Sequence, residues 1–515
     1  MILLHNGVTA PANKETSDMP TEDFDVLIIG AGVSGIGMAC RLKTECPDKS
    51  FAILERRRRV GGTWDLFRYP GVRSDSDMHT YGYRFRPWRG LKILAAGDTI
   101  RDYVADTARE YGVDSHIRYG LKIVRLDWVS AEQRWNVTAI TEPGGQARSY
   151  RCRQLVMGTG YYNYDDGHKP EIAGLERYAG TLVHPQHWPE GLDCRGQRVV
   201  VLGSGATAIT LVPALAEAGA QVTMLQRSPT YVMSLPSNDK LTGLLARLMP
   251  ERWAYGLARK RNLLISRWIF LASRRWPQRM RGLLLSQVRK HLGQGFDMRH
   301  FTPSYQPWDQ RLCVVPDADL FGVVRDGTAD VVTDRIAGFD GKRVLLASGQ
   351  AIEADVLVTA TGLEVQALGG AQVCVDGRPY APQRHMLYKG VLLEDLPNFA
   401  WIVGYTNASW TLKADLAFDY LCKLYRHMDQ RGLVVATPRD RGGNKLDESI
   451  FGGLTSGYVQ RAQDRLPRQG REQPWRVTHH YPTDQRVLRD APVDDGVLHF
   501  EPARSASVTL LRKAA

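Results

Sequence analysis

The sequence predicts an α/β fold, and three observations carry that expectation. A β-branched run ends in a glycine-rich turn at residue 30. The same arrangement returns at residue 203. Between residues 240 and 290 the chain becomes basic and leucine-rich, with aromatic residues interspersed.

The first unit opens on Phe24-Asp25-Val26-Leu27-Ile28-Ile29, which reads as a buried parallel strand. Gly30-Ala31-Gly32-Val33-Ser34-Gly35 follows directly, then a helical pattern to about Lys43, then a second strand ending at Glu55. Each glycine has a task. Gly30 permits the tight turn, Gly32 lets the backbone approach a pyrophosphate, and Gly35 lets helix and strand pack closely. Ser34 lies in the same turn, at the helix N-terminus whose N–H groups suit a phosphate. Glu55 stands 25 residues after Gly30 and can accept both ribose hydroxyls.

The second unit repeats the plan. Arg198–Leu202 is the strand, Gly203-Ser204-Gly205-Ala206-Thr207-Ala208 the turn and helix start, and Gln221–Gln226 the next strand. Arg227, not an acid, ends it, 24 residues after Gly203, with Ser228 beside it. An acid repels a 2′-phosphate and a guanidinium pairs with one. The first cradle is therefore expected to hold FAD and the second NADPH. This gives the predicted fold: two Rossmann-like dinucleotide-binding domains, one for each cofactor.

Residues 240–290 hold 13 Lys/Arg and one acid, Glu251, so 13 − 1 gives +12, equal to the whole chain's net charge. A basic amphipathic helical insertion in the second domain is expected there. Such an insertion can make peripheral contact with an anionic membrane. It can equally pack on the second domain with its cations in water. No reader motif accompanies the charge, so nucleic acid is not the expected partner.

Composition narrows the class further. The chain has 515 residues, 43% hydrophobic and 24% charged, which excludes a disordered or fibrous protein. Its seven cysteines are scattered without a CxxC pair, so no disulfide framework, dithiol redox centre or metal site is expected. The N-terminus lacks the pattern of a secretory signal, and no run of about 18 apolar residues occurs. A cytoplasmic location is expected, with the membrane periphery as the alternative.

Residues 178–189 read Tyr-Ala-Gly-Thr-Leu-Val-His-Pro-Gln-His-Trp-Pro. This resembles the signature of the type I Baeyer–Villiger flavoprotein monooxygenases, carried here by Tyr178, Gly180, His184, Trp188 and Pro189. Tyr178 replaces the usual phenylalanine. Further stretches at 62–71, 161–164, 307–313 and 404–415 are most similar to the ethionamide-activating members. The likeness covers residues 24 to about 500.

The resemblance implies an enzyme that uses NADPH, O2 and FAD to convert a ketone to an ester. Oxygenation of sulfide or thioamide sulfur is a further implied activity. Arg311 is implied to be the catalytic cation and Asp75 its partner. Thr63, Trp64, Asp75, Tyr81 and Ile123 are expected beside FAD, and Arg73 and Ser74 beside NADP. The signature residues are expected to form a linker rather than a catalytic base. Asn407, Ser409 and Trp410 are candidates for the substrate pocket. Gln310 departs from a lysine often found in the family, so Arg227 and Ser228 are expected to carry more of the nucleotide binding. Two other readings stay open: an N- or S-oxygenating flavin monooxygenase without ketone activity, and a non-catalytic flavin-bound protein at a membrane.

The expected organisation is an N-terminal arm (1–23), a first FAD-domain segment (24–174), an NADPH domain (175–350) with its helical insertion at about 240–300, and a return to the FAD domain (351–515). Within the return, Asp355–Gly362 is expected to pair with Leu155–Gly160.

Overall fold

The computed structural model describes residues 21–453 and 456–504. The expected N-terminal arm lies outside the described residues as far as residue 20. Its last residues are not an arm, because the first strand, β1 (Glu22–Ile29), has already begun.

The β1 run is buried from Val26 to Ile29, because sheet neighbours and helices cover it on every side. Helix α1 (Val33–Glu45) leads to β2 (Phe51–Leu54), which pairs parallel with β1. On the other side β1 pairs parallel with β3 (Ala147–Met157). Strands Leu121–Val129 and Arg134–Thr141 extend this sheet as an antiparallel meander.

The second domain has a five-stranded parallel sheet. Its centre is β4 (Arg198–Leu202), followed by helix α2 (Ala206–Glu217) and β5 (Gln221–Gln226). Three helices follow: α3 (Lys240–Leu248), α4 (Glu251–Arg275) and α5 (Pro277–Leu292). Strand β6 (Val356–Thr359) then joins β4 and Thr181–Val183 in that same sheet.

This corrects the expected return. Residues 355–362 do not pair with 155–160; β6 belongs to the second sheet. The reason is local packing. A Cβ on Gly203 would sit 2.4 Å from the Ala360 carbonyl oxygen, and one on Gly30 would sit 2.9 Å from that of Gly158. Two similar strand-and-turn segments, Met157-Gly158-Thr159-Gly160 and Thr359-Ala360-Thr361-Gly362, each abut one cradle. The chain re-enters the first sheet at Gln372–Val375, parallel to Leu121–Val129, and again at β7 (Phe399–Trp401), parallel to β3. The chain crosses between sheets through an antiparallel ribbon, Tyr162–Gly167 with Leu363–Val365. Helix α6 (Trp410–Gln430) covers the first domain, with Phe418 so close to Gly37 that a Cβ there would lie 2.5 Å from its ring.

The signature residues brace this crossing. The His184 ring fills the space where a Cβ on Gly167 would be, 1.9 Å away, and faces the Gly362 backbone. Burial lowers its pKa, which keeps the ring neutral. The Tyr178 hydroxyl donates to the Ala354 carbonyl at 2.9 Å, and Gly180 leaves room for that hydroxyl. Trp188 packs on the second-domain core, and Pro189 is exposed.

Candidate active site

Both cradles are built alike. Gly30 (φ +100°) and Gly203 (φ +138°) adopt backbone that only glycine takes easily. Helices α1 and α2 start at Gly32 and Gly205 with no side-chain cap and no acid in the first turn. Their leading N–H groups are thereby left for an anion. A Cβ on Gly35 would lie 1.8 Å from the Gly30 oxygen, so α1 rests directly on its turn.

The strand ends differ. Glu55 is buried, and its carboxylate accepts the N–H groups of Ala31 (2.6 Å) and Arg57 (2.7 Å). Burial raises its pKa against the pull of those bonds. Arg227 is exposed and makes no ion pair among the described residues. Beside it, the Ser228 carbonyl accepts the Ser204 hydroxyl at 2.9 Å.

A loop of the first domain ties the cradles together. Gly71 (φ +74°) lies against α2, where a Cβ would come 2.8 Å from the Thr210 carbonyl oxygen. The Tyr69 hydroxyl bonds Thr207, and burial pushes its pKa up to about 12. Arg73 pairs with Asp319 at 2.5 Å, while its Nε and Nη2 are buried without a partner. Ser74 donates to the Ser76 carbonyl at 2.8 Å.

Asp75 then accepts Arg311 Nη2 at 2.9 Å, and the Ser76 hydroxyl accepts the same nitrogen at 3.3 Å. Arg311 comes from the second domain, just before strand Cys313–Pro316. Protein surrounds it, yet 34% of its side chain stays exposed because a cavity lies beside it. Burial opposes its charge. The Asp75 carboxylate, with Tyr161, Tyr458 and Tyr162 behind it, outweighs that and raises the pKa. Arg311 therefore stays a cation at any working pH.

One continuous cavity is lined by Gly30, Gly32, Ser34, Glu55, Thr63, Trp64, Arg73, Ser74, Asp75, Tyr81, Ile123, Ala206, Thr207 and Arg311. Trp64 Nε1 donates to the Tyr81 hydroxyl at 2.7 Å, fixing both walls. Other residues named from the motifs do not line it. Gly35 and Gly203 act through packing, and Ala208 is a fully buried core residue. Ser204, Gly205, Arg227 and Ser228 lie outside it, half-buried or exposed. Of the proposed pocket residues only Trp410 faces the cavity, donating to the Ser34 hydroxyl at 2.8 Å. Ser409 instead bonds Thr80 at 2.6 Å, and Asn407 does not line the cavity.

Sequence reasoning missed a tyrosine wall. Tyr161, Tyr162 and Tyr164 line the same cavity, and Tyr164 bonds Thr63 at 3.3 Å. Burial raises the Tyr164 pKa to about 12, keeping the phenol neutral. The signal was present: the three tyrosines follow a strand and glycine turn, where α/β proteins bind ligands.

An NAD(P)-binding Rossmann-like domain matches residues 28–89, and the flavin-binding monooxygenase-like family matches residues 93–282. The chain is 57% identical over 486 residues to the monooxygenase MymA of Mycobacterium tuberculosis, covering 94% of this chain and 98% of that one. It is 48% identical over 482 residues to the FAD-containing monooxygenase EthA of the same organism, covering 93% and 98%. The chain belongs to the flavin-binding monooxygenase family. It is an NADPH-dependent flavoprotein monooxygenase, with FAD and NADPH as cofactors. The fold of this monooxygenase matches that of a steroid monooxygenase bound to NADP, with TM-score 0.75 and 19% identity over 93% of this chain and 100% of that one. It also matches an open cyclohexanone monooxygenase, with TM-score 0.73 and 19% identity over 93% and 100%.

The residues fit two dinucleotides. The uncapped helix starts suit phosphates, and Arg73, which lines the shared cavity, keeps two buried nitrogens without a partner. Around Gly205 an added Cβ meets nothing within 4 Å, as expected where a phosphate would pass. Arg227→Ala is expected to raise the KM for NADPH by roughly ten-fold, the loss of one exposed phosphate contact. The KM for NADH should stay unchanged, and steady-state rates with both nucleotides check this.

Proposed function

We propose that this monooxygenase is of Baeyer–Villiger type. A ketone, O2, NADPH and a proton give an ester, NADP⁺ and water; a carbon–carbon bond beside the carbonyl breaks and a carbon–oxygen bond replaces it. The observation that carries this reading is the Arg311–Asp75 pair on the wall of the cavity that contains residues of both cradles.

When bound, FAD supplies electron transfer from NADPH to O2 and the activated oxygen. The protein does the rest. The Gly30–Gly35 turn and Glu55 hold the flavin's ADP portion. The Gly203–Ala208 turn, Arg227 and Ser228 hold NADPH, with Arg73 and Ser74 reaching it from the bridging loop. Trp64, Tyr81, Ile123 and the tyrosine wall enclose the reacting end and exclude water. Arg311 places a fixed positive charge where oxygen becomes negative during the insertion. Asp75 holds its fork in position.

Anaerobic reduction by NADPH, then O2 and product analysis with an aliphatic ketone, an aryl ketone, a sulfide and a thioamide, tests the proposal. Ester formation coupled to NADPH consumption is expected. Sulfoxide without ester would assign the enzyme to the N- or S-oxygenating class. NADPH consumption unaffected by any of them would remove substrate oxygenation altogether.

A further inference from the structure

We propose that helices α3–α5 dock this protein on an anionic lipid bilayer, with α4 lying in the plane of the interface. Among the described residues, eleven of the fourteen exposed large hydrophobic side chains fall between residues 241 and 283. On α4, Trp253, Leu257, Leu264, Trp268 and Leu271 are 46% to 61% exposed and recur at intervals of 4, 7, 4 and 3 residues. That spacing places them on one face of the helix. The opposite face is the buried one, with Ala254, Tyr255, Ala258 and Ala272. Helix α3 repeats the pattern with exposed Leu241, Leu244 and Leu248. An apolar surface of this extent on a protein in water needs a partner.

Charge decides which partner. Of the 13 cations in residues 240–290, Arg259, Arg261, Arg274 and Arg281 bond inward. The other nine are exposed and unpaired among the described residues, and Glu251, the one acid, faces Arg89 at 4.0 Å. At 100° per residue, Lys260 and Arg267 flank the apolar stripe within about 40° of Trp253. Long cationic side chains beside tryptophan and leucine suit the boundary between acyl chains and anionic headgroups. A two-fold contact with a second copy would press nine unpaired cations against nine. A phosphate-binding face for nucleic acid is polar, not studded with leucine and tryptophan. No helix among the described residues is long and apolar enough to cross a membrane, so the contact is on the surface.

Helix α4 holds the two segments that carry the cavity residues Tyr81 and Arg311. Arg259 donates to the carbonyls of His79, Thr80 and Gly82, around Tyr81, and pairs with Asp415 at 3.0 Å. Phe270 packs on Trp308 at 5.4 Å, and Arg274 pairs with Asp309 at 2.8 Å, in the loop that delivers Arg311. Docking thus sets the cavity one helix away from the lipid, where apolar substrates collect.

Flotation of the flavin-loaded full chain with vesicles tests this. Vesicles of phosphatidylcholine mixed with phosphatidylglycerol should carry the protein up at low salt, and vesicles of phosphatidylcholine alone should not. High salt should weaken the association at least ten-fold. Lys260→Gln and Arg267→Gln should each weaken it roughly five-fold. A Trp253→Ser/Trp268→Ser double variant should stay at the bottom, with unchanged flavin content and NADPH oxidation in solution. Failure of the flavin-loaded protein to float with the anionic vesicles overturns the proposal. So does a dimer in light scattering that the tryptophan variant dissociates, or equal flotation with both vesicle types.

Discussion

Arg311→Ala is expected to separate the two halves of catalysis. NADPH should still reduce the flavin at close to the normal rate, because neither cradle depends on this side chain. Ester formation should fall by about 10²–10³, the usual loss when one preorganised charge is taken from a developing oxyanion. The electrons must then go elsewhere, so NADPH and O2 should be recovered as NADP⁺ and hydrogen peroxide. Folding should survive, since Asp75 is 30% exposed and can be solvated when its partner is gone. Arg311→Lys should fall between the two, keeping the charge but losing the planar fork that Asp75 and Ser76 hold. Stopped-flow reduction and product analysis on the same preparations check both halves. Loss of reduction in Arg311→Ala would mean that the residue holds a cofactor instead.

Gly35→Ala carries the largest expected structural effect. Its methyl group would lie 1.8 Å from the Gly30 oxygen and 3.0 Å from the carbonyl carbon, both backbone atoms. Neither can step aside without opening the turn, since Gly30 is itself pressed on Gly158. Overpacking of this kind costs about 3 kcal/mol or more. The variant should melt earlier and lose its yellow colour on purification. Gly205→Ala is the matched control. Its methyl group meets nothing within 4 Å, and its φ of −80° suits alanine. That variant should keep its flavin and its stability to within about 0.5 kcal/mol while binding NADPH more weakly. Thermal melts and flavin absorbance distinguish the two.

What was legible in the sequence was mostly local. A strand, a glycine turn, a helix and a strand-end residue lie within about thirty positions, so each cradle can be read in one window. The sheet that β6 joins could not be read so. Val-Met-Gly-Thr-Gly and Val-Thr-Ala-Thr-Gly look interchangeable, and only packing on Gly30 or Gly203 tells them apart. Asp75 and Arg311 are 236 residues apart and meet only because Gly71 lets the bridging loop rest on α2. Their pairing came from resemblance, not from pattern. The basic helical segment was legible as composition, but composition does not say which face looks outward. The structure shows that on α4 one apolar face is left in water.

The most direct test of the account is a single turnover under ¹⁸O₂ with a simple ketone, followed by mass analysis of the product. An ester with one labelled atom at the bridging oxygen and an unlabelled carbonyl is the predicted result. Unlabelled product, or ketone recovered intact while NADPH is consumed, contradicts it.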